Sequence, residues 1–248
     1  MITGARRWHG YGGRVGTYAA VVLAGGAARR MGGLDKPALP VGGRPMRDRV
    51  LAAVSDAAPR VLVGAADAVP AGVRVVREDP PGGGPVAAAA AGLALLDPDV
   101  SVVALLAADL PLLTRAAIGE LLKHLDRETP DTEPPGDGST PASPDHGGLA
   151  PAPPARSGVA GERGPDGACF VDGDGRRQSL CGVWRVAALR AAVHRLTVER
   201  GGTLSGAPVR ALLAGLVVRE VAWSGEGPPP WFDCDTDEDV RRAEEWAR

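Results

Sequence analysis

The chain has 248 residues, 44% of them hydrophobic and 23% charged, with a formal net charge of -2. That length can bury one sizeable core, and the near-neutral balance excludes a sequence-independent nucleic-acid binder, which carries a basic patch. Cys169, Cys181 and Cys234 are odd in number and form no CxxC pair, which argues against a zinc knuckle or disulfide framework and for three reduced thiols in a cytoplasmic protein.

Residues 1–17 carry arginines and glycines without the apolar core of a signal peptide, and they read as a loose N-terminal tail. Residues 18–24 form an apolar run with no charge, the pattern of a strand buried on both faces. It empties into Leu23, Ala24, Gly25 and Gly26, and the loop continues through Arg30-Met31-Gly32-Gly33 to Asp35-Lys36-Pro37. A glycine pair behind a strand lets the backbone approach a phosphate, and successive N–H groups there form an anion nest. Arg29, Arg30 and Lys36 add cations to the same loop. Neither familiar phosphate loop fits. A Walker loop needs Gly-Lys-Ser/Thr, and the dinucleotide fingerprint needs G-x-G-x-x-G; Lys36 follows Asp35, and Gly25-Gly26-Ala27-Ala28 lacks the spacing.

Helical spacing over 46–57 puts Met46, Val50, Leu51 and Val54 on one face. Short β-branched strands follow at 60–64 and 73–77. Residues 86–96 read as an alanine-rich helix started by Pro85. The longest apolar run, 100–107, reads as a central parallel strand, and 114–125 as a helix capped by Thr114. Composition then shifts to proline, glycine, serine and aspartate, which predicts a disordered surface insertion over 127–167. Beyond it the pattern predicts helices at 186–196, 208–214 and 237–248 and a strand at 216–221. Alternating strands and helices predict a three-layer α/β domain, residues 18–248, with a mainly parallel sheet and helices on both faces. No run is long enough to cross a bilayer.

Asp109 stands at the carboxyl end of the long apolar strand, the edge where ligands gather in open α/β sheets. A carboxylate there suits a divalent cation; capping the next helix or bonding loop amides is the structural alternative. Asp79 follows a strand and precedes Pro80-Pro81-Gly82-Gly83-Gly84-Pro85, an exposed bend suited to a base or ribose, though aspartate before proline is also an ordinary turn residue. Asp233 and Asp235 could add a metal ligand or hold an acceptor, while Thr236 with Asp237, Glu238 and Asp239 reads as a helix start. Arg176 and Arg177 suit either an anionic acceptor or a solvated hairpin tip. His9, His124, His146 and His194 are scattered, so a Ser-His or Cys-His nucleophile is unsupported.

The run from Leu23 to Pro37 resembles the signature of the molybdenum cofactor guanylyltransferase family: LAGG, then Arg-Met-Gly-Gly, then Asp-Lys. Glu78 onward (EDPPGGGPVAA), Ala104 onward (ALLAADLPLL) and Cys234 onward (CDTDEDV) agree in order and spacing. The resemblance implies a nucleotide-diphospho-sugar transferase-like Rossmann-type fold and transfer of GMP from GTP to molybdopterin, with Mg²⁺ as cofactor and pyrophosphate released. It implies nucleotide contacts from Leu23, Ala24, Gly25, Gly26, Lys36, Gly64, Asp79 and Asp109, catalysis by Arg30, Lys36 and Asp109, and metal binding by Asp109, with Asp235 the candidate second ligand on the reading of its own acidic run. Gly64 stands where better-known bacterial members carry a nucleotide-binding asparagine, so contact there is expected through backbone alone. Transient contact with proteins that deliver or collect the cofactor also follows from the resemblance. A cytidylyltransferase (relatives of that kind tend to read LAAG), another phosphorylated-metabolite nucleotidyltransferase or a non-catalytic GTP sensor are the competing readings; a doubly wound dehydrogenase fails on the missing fingerprint.

Overall fold

The computed structural model describes residues 8–9, 15–16, 18–25, 36–66, 68–126 and 164–248. Gly26, Arg29, Arg30 and the middle of the glycine loop lie outside them, as does nearly all of the insertion expected at 127–167. Within the N-terminal segment, β1 (Trp8–His9) pairs antiparallel with β2 (Val15–Gly16). The first long strand, β3 (Tyr18–Leu23), is followed by a small hairpin of β4 (Pro40–Val41) and β5 (Arg44–Pro45) that precedes the first helix.

A seven-stranded sheet organises the rest. Its strands are β3, β6 (Arg60–Val63), β7 (Val73–Val76), β8 (Val102–Ala107), β9 (Gly167–Val171), β10 (Arg177–Arg185) and β11 (Val218–Ala222), in the order β11-β9-β10-β8-β3-β6-β7. All adjacent pairs are parallel except those made by β10, which runs against both β8 and β9. The mainly parallel sheet expected from the sequence is therefore observed.

Every residue of β3 is buried, because its two sides feed two different cores. Ala20 and Val22 pack with Leu62, Leu106 and the helices α1 (Met46–Ala53) and α3 (Arg115–Asp126). Ala19 and Val21 pack with Val61, Leu105 and the helices α2 (Pro85–Ala94) and α4 (Val186–Glu199). This two-sided burial is the physical origin of the uninterrupted apolar run, and with it the three-layer architecture. Helix α2 lies so close to β3 that a Cβ on Gly92 would sit 2.4 Å from Val21 Cγ1, which only glycine permits. A short helix α5 (Val209–Leu212) and the last helix α6 (Asp237–Trp246) complete the described chain.

Element bounds differ from the sequence reading mostly at the ends. The helix expected over 46–57 stops at Ala53, and that expected over 208–214 is a single turn. The expected insertion is trimmed at its far end: Gly167 already belongs to β9, paired with Trp184. Arg185 ties together the two chain segments that flank residues 127–163, its Nε donating to Pro165 O (3.0 Å) and its Nη2 to Leu125 O (3.5 Å). This clamp sits level with the first residue of β8, since Arg185 is paired with Val102.

Candidate active site

The register decides where the site can be. Leu23 is level with Ala107 of β8 and with Val63 of β6, and Val63 is level with Val76 of β7. Four strands thus end together. The ladder runs one residue further at each, with Ala108 N–H donating to Leu23 O (3.0 Å), Ala24 N–H to Val63 O (2.7 Å) and Gly64 N–H to Val76 O (2.8 Å). The glycine loop, Gly64, Asp79 and Asp109 therefore all leave the sheet along one carboxyl edge.

Lys36 opens a single 3-10 turn, Lys36–Ala38, and reaches back to that edge. Its Nζ donates to Asp109 Oδ2 and to Asp235 Oδ1, each at 2.6 Å. Burial alone would lower the lysine pKa; the hydrogen bonds and charges of both aspartates outweigh it and hold the ammonium above its ordinary range. At neutral pH the group is a fixed cation. Because the pKa is raised by folding, the stability this contact supplies is full below the ordinary lysine pKa and is lost only as pH climbs through the folded one.

Asp109 follows the end of β8, and its position is braced from α1: Arg49 Nε donates to Pro111 O (2.8 Å) and its Nη1 to Val41 O (3.2 Å). Helix α3 is capped by Thr114, whose Oγ1 accepts from Ala117 N–H (3.2 Å), so the capping alternative for Asp109 falls away. The same logic separates Asp235 from the helix behind it. Thr236 and Asp239 form a reciprocal capping box, with Thr236 N–H donating to Asp239 Oδ2 (2.8 Å) and Asp239 N–H to Thr236 Oγ1 (3.2 Å). That leaves the Asp235 carboxylate to Lys36.

Cys234 positions these acids. Its side chain is buried with Val41, Met46, Leu112 and Ala243, while its N–H donates to Asp109 O (3.3 Å). Sinking Cys234 turns its neighbours outward. Surrounding protein atoms strip hydration from Asp233 and, after that, the charges of Asp235 and Asp109 raise its carboxyl above the usual range. Burial pushes the Cys234 thiol up to about 12 and the Cys169 thiol to about 11, so neither supplies a nucleophile near neutral pH.

The remaining expected residues sort plainly. Leu23 is buried, Ala24 partly so, and Gly25 is exposed at the mouth of the edge. Asp79 is exposed after β7 and does not join the Lys36 cluster among the described residues. Arg177 is committed to Glu220 on β11 through Nε–Oε1 (2.7 Å), and Asp172 Oδ1 accepts from Asp174 and Arg176 N–H, which makes this stretch a built hairpin tip. Gly64 cannot carry a side chain here. Its φ is +140°, and a Cβ would stand 2.9 Å from the carbonyl carbon of Ala24 and 3.0 Å from Gly25 N. Its N–H is spent on Val76, so only its carbonyl remains for a ligand. Gly64→Ala is expected to cost about 1–3 kcal/mol of stability and to raise the nucleotide KM, because the glycine loop must move; a melting curve and a KM together check this, and an unchanged KM refutes it.

One residue escaped the sequence reading. Glu78 is buried beside the exposed Asp79, and its Oε1 accepts from Gly82 N–H (3.0 Å). Strand alternation does not mark it, because β7 reads part-buried, exposed, exposed, part-buried, and Arg74, at the same parity as Glu78, is exposed.

The sequence model of the MobA-like NTP transferase domain matches residues 20–216, which takes in the glycine loop, Lys36 and Asp109. The chain belongs to this family. It is a nucleotidyltransferase. Among solved structures, this transferase is similar to molybdopterin-guanine dinucleotide biosynthesis protein A from Archaeoglobus fulgidus, at 18% identity and TM-score 0.58, covering 92% of this chain and 97% of that one. It is similar to the same degree to 2-C-methyl-D-erythritol 4-phosphate cytidylyltransferase from Thermus thermophilus, at 19% identity and TM-score 0.58, covering 93% and 98%. A nucleotidyl transferase from Methanothermobacter thermautotroptrophicus matches at 18% identity and TM-score 0.61, covering 92% and 96%. At such identities the likeness is one of fold. A probable molybdenum cofactor guanylyltransferase of Haloferax mediterranei is 47% identical over 45 residues, which is 18% of this chain and 21% of that protein. The match thus spans about a fifth of the curated relative. Among the described residues of this transferase, no helix is long and apolar enough to cross a membrane.

Proposed function

We propose that this transferase moves GMP from GTP to molybdopterin and releases pyrophosphate. The observation that carries the reading is the convergence of Lys36, Asp109 and Asp235 on the carboxyl edge where the glycine loop begins. The local match to a protein described as a molybdenum cofactor guanylyltransferase supports the choice of donor and acceptor.

The donor set fits a magnesium ion that arrives with its nucleotide. Asp109 and Asp235 are both drawn to one cationic point, and no group of three or more ligating side chains gathers among the described residues. Magnesium is characteristically held by one or two carboxylates, with phosphates and water completing its shell. Asp109 and Asp235 would hold it, and when bound it neutralises charge on the phosphate oxygens.

The rest of the mechanism belongs to the chain. The backbone of Leu23 to Gly26 contacts the base and phosphates, although Ala24 N–H is already held by Val63 O and offers no donor. The acceptor's terminal phosphate oxygen attacks the α-phosphorus in line, and the bond to pyrophosphate breaks. Lys36 leaves its carboxylates for the phosphates and, with Arg30, stabilises the charge growing on the leaving group. Phosphoryl-type transfer of this sort needs positioning and charge neutralisation more than a protein nucleophile, which suits thiols held protonated by burial.

Incubating the purified protein with each of the four triphosphates, Mg²⁺ and molybdopterin, and following pyrophosphate, tests the reading. Release with GTP alone is the expected result. Release with CTP alone transfers the assignment to a cytidylyltransferase, and no release with any donor overturns the molybdopterin reading in favour of another phosphorylated acceptor or, if no acceptor serves, a sensor.

A further inference from the structure

Glu78 is unusual in this molecule. Among the described residues only it and Arg47 are charged and buried, and Glu78 is 7% exposed. A buried carboxylate is costly unless donors meet it, and no cation pairs with Glu78 among the described residues. Gly82 N–H satisfies one lone pair of Oε1. A carboxylate is an acceptor only, with about four lone-pair positions, so the group retains acceptor capacity.

That capacity lies against the nucleotide loop. A Cβ on Gly25 would stand 3.2 Å from Glu78 Oε1 and 3.5 Å from Oε2, so the carboxylate occupies the space beside the bare Gly25 backbone at the cleft mouth. Negative charge there repels phosphates. The cationic end of the cleft is at Lys36 and the end of β8, whereas Glu78 follows β7, three strand positions away in the order β8-β3-β6-β7. At about 4.8 Å per strand the ends of β8 and β7 are roughly 14 Å apart, and the Glu78 side chain leans back from β7 as far as Gly25. The cleft therefore has a polarity, with phosphates toward Lys36 and the base toward Glu78.

The bases differ in what they offer an acceptor-only group. Guanine presents two adjacent donors on its pairing edge, N1–H and the N2 amine. Adenine and cytosine place one amine beside a ring nitrogen acceptor, and uracil sets its N3–H between two carbonyl acceptors. Only guanine meets a carboxylate without facing it with a lone pair. We infer that Glu78 is the specificity-determining residue that selects GTP, its carboxylate accepting from guanine N1–H and N2–H while Gly82 fixes its orientation. This rests on the guanylyl reading above.

The experiment compares GTP with ITP, which lacks the N2 amine, in the wild-type protein and in Glu78→Gln. Wild type is expected to favour GTP over ITP by about 10- to 100-fold in kcat/KM, the range for a hydrogen bond to a charged group. Glu78→Gln keeps an oxygen for Gly82 N–H but loses the charge and turns an amine toward the base, so the GTP rate should fall at least as far and the GTP:ITP ratio collapse toward one. If Glu78 merely holds the Gly82 turn, the glutamine variant retains the wild-type ratio, which overturns the inference while leaving the guanylyl reading standing. Binding of GTP and ITP to both proteins, measured by calorimetry, reports the same ratio without turnover. A wild-type protein that uses CTP and ignores GTP overturns the guanylyl reading first, and Glu78 with it.

Discussion

Replacing Lys36 by alanine is expected to lower turnover by about 10²- to 10³-fold, the scale seen when one preorganised charge-stabilising donor is removed from a transition state. The fold should survive, since the lysine sits in a single 3-10 turn outside both cores. Its loss nevertheless leaves Asp109 and Asp235 facing each other without their shared cation, and Asp233 beside them already feels both charges. Arginine is a poor replacement. The lysine ammonium is a compact point charge held at 2.6 Å by two carboxylates, whereas a guanidinium is a planar fork that needs a wider seat. Single-turnover pyrophosphate release separates the chemical step from binding. Near-normal rates in Lys36→Ala would remove the residue from the mechanism.

The second large effect concerns Asp109. Asp109→Asn preserves shape and the backbone acceptor that takes Cys234 N–H, but it removes one of the two charges drawn to Lys36. The expected outcome is a fall of about 10²-fold or more in kcat at fixed magnesium, together with a higher magnesium concentration for half-maximal rate. Melting temperature should change by a few degrees at most, because the carboxylate is outside the cores. A variant whose rate depends on magnesium as the wild type does excludes Asp109 as a ligand.

Much of this arrangement could be read from one dimension of sequence. The runs that became β3 and β8 are charge-free because both faces of each strand are buried, and a strand of that kind can hardly be mistaken. The glycine loop and Asp109 fall on one edge because parallel strands end together, a rule that needs no coordinates. Strand direction was less accessible. Nothing in the apolar pattern of β10 reveals that it runs against its neighbours, since alternation is the same in either sense. The choice between helix start and site residue for Asp235 was also closed to local reasoning. It depends on a lysine 199 positions away, and on a capping box that relieves Asp235 of any duty to α6. Glu78 was hidden for a different reason: Asp79, next to the proline, has the composition of a turn and masks the neighbour that folds inward.

The clamp made by Arg185 has a practical corollary. Leu125 and Pro165 are gripped by one guanidinium at the amino-terminal rim of the sheet, the rim remote from the nucleotide cleft. Chain exits there and returns there within the reach of a single side chain, and widening a closed loop costs only about 0.6 kcal/mol per doubling of its length. Fluorophores or affinity handles joined beside those two anchor points would therefore be attached at the rim opposite Lys36 and Asp109.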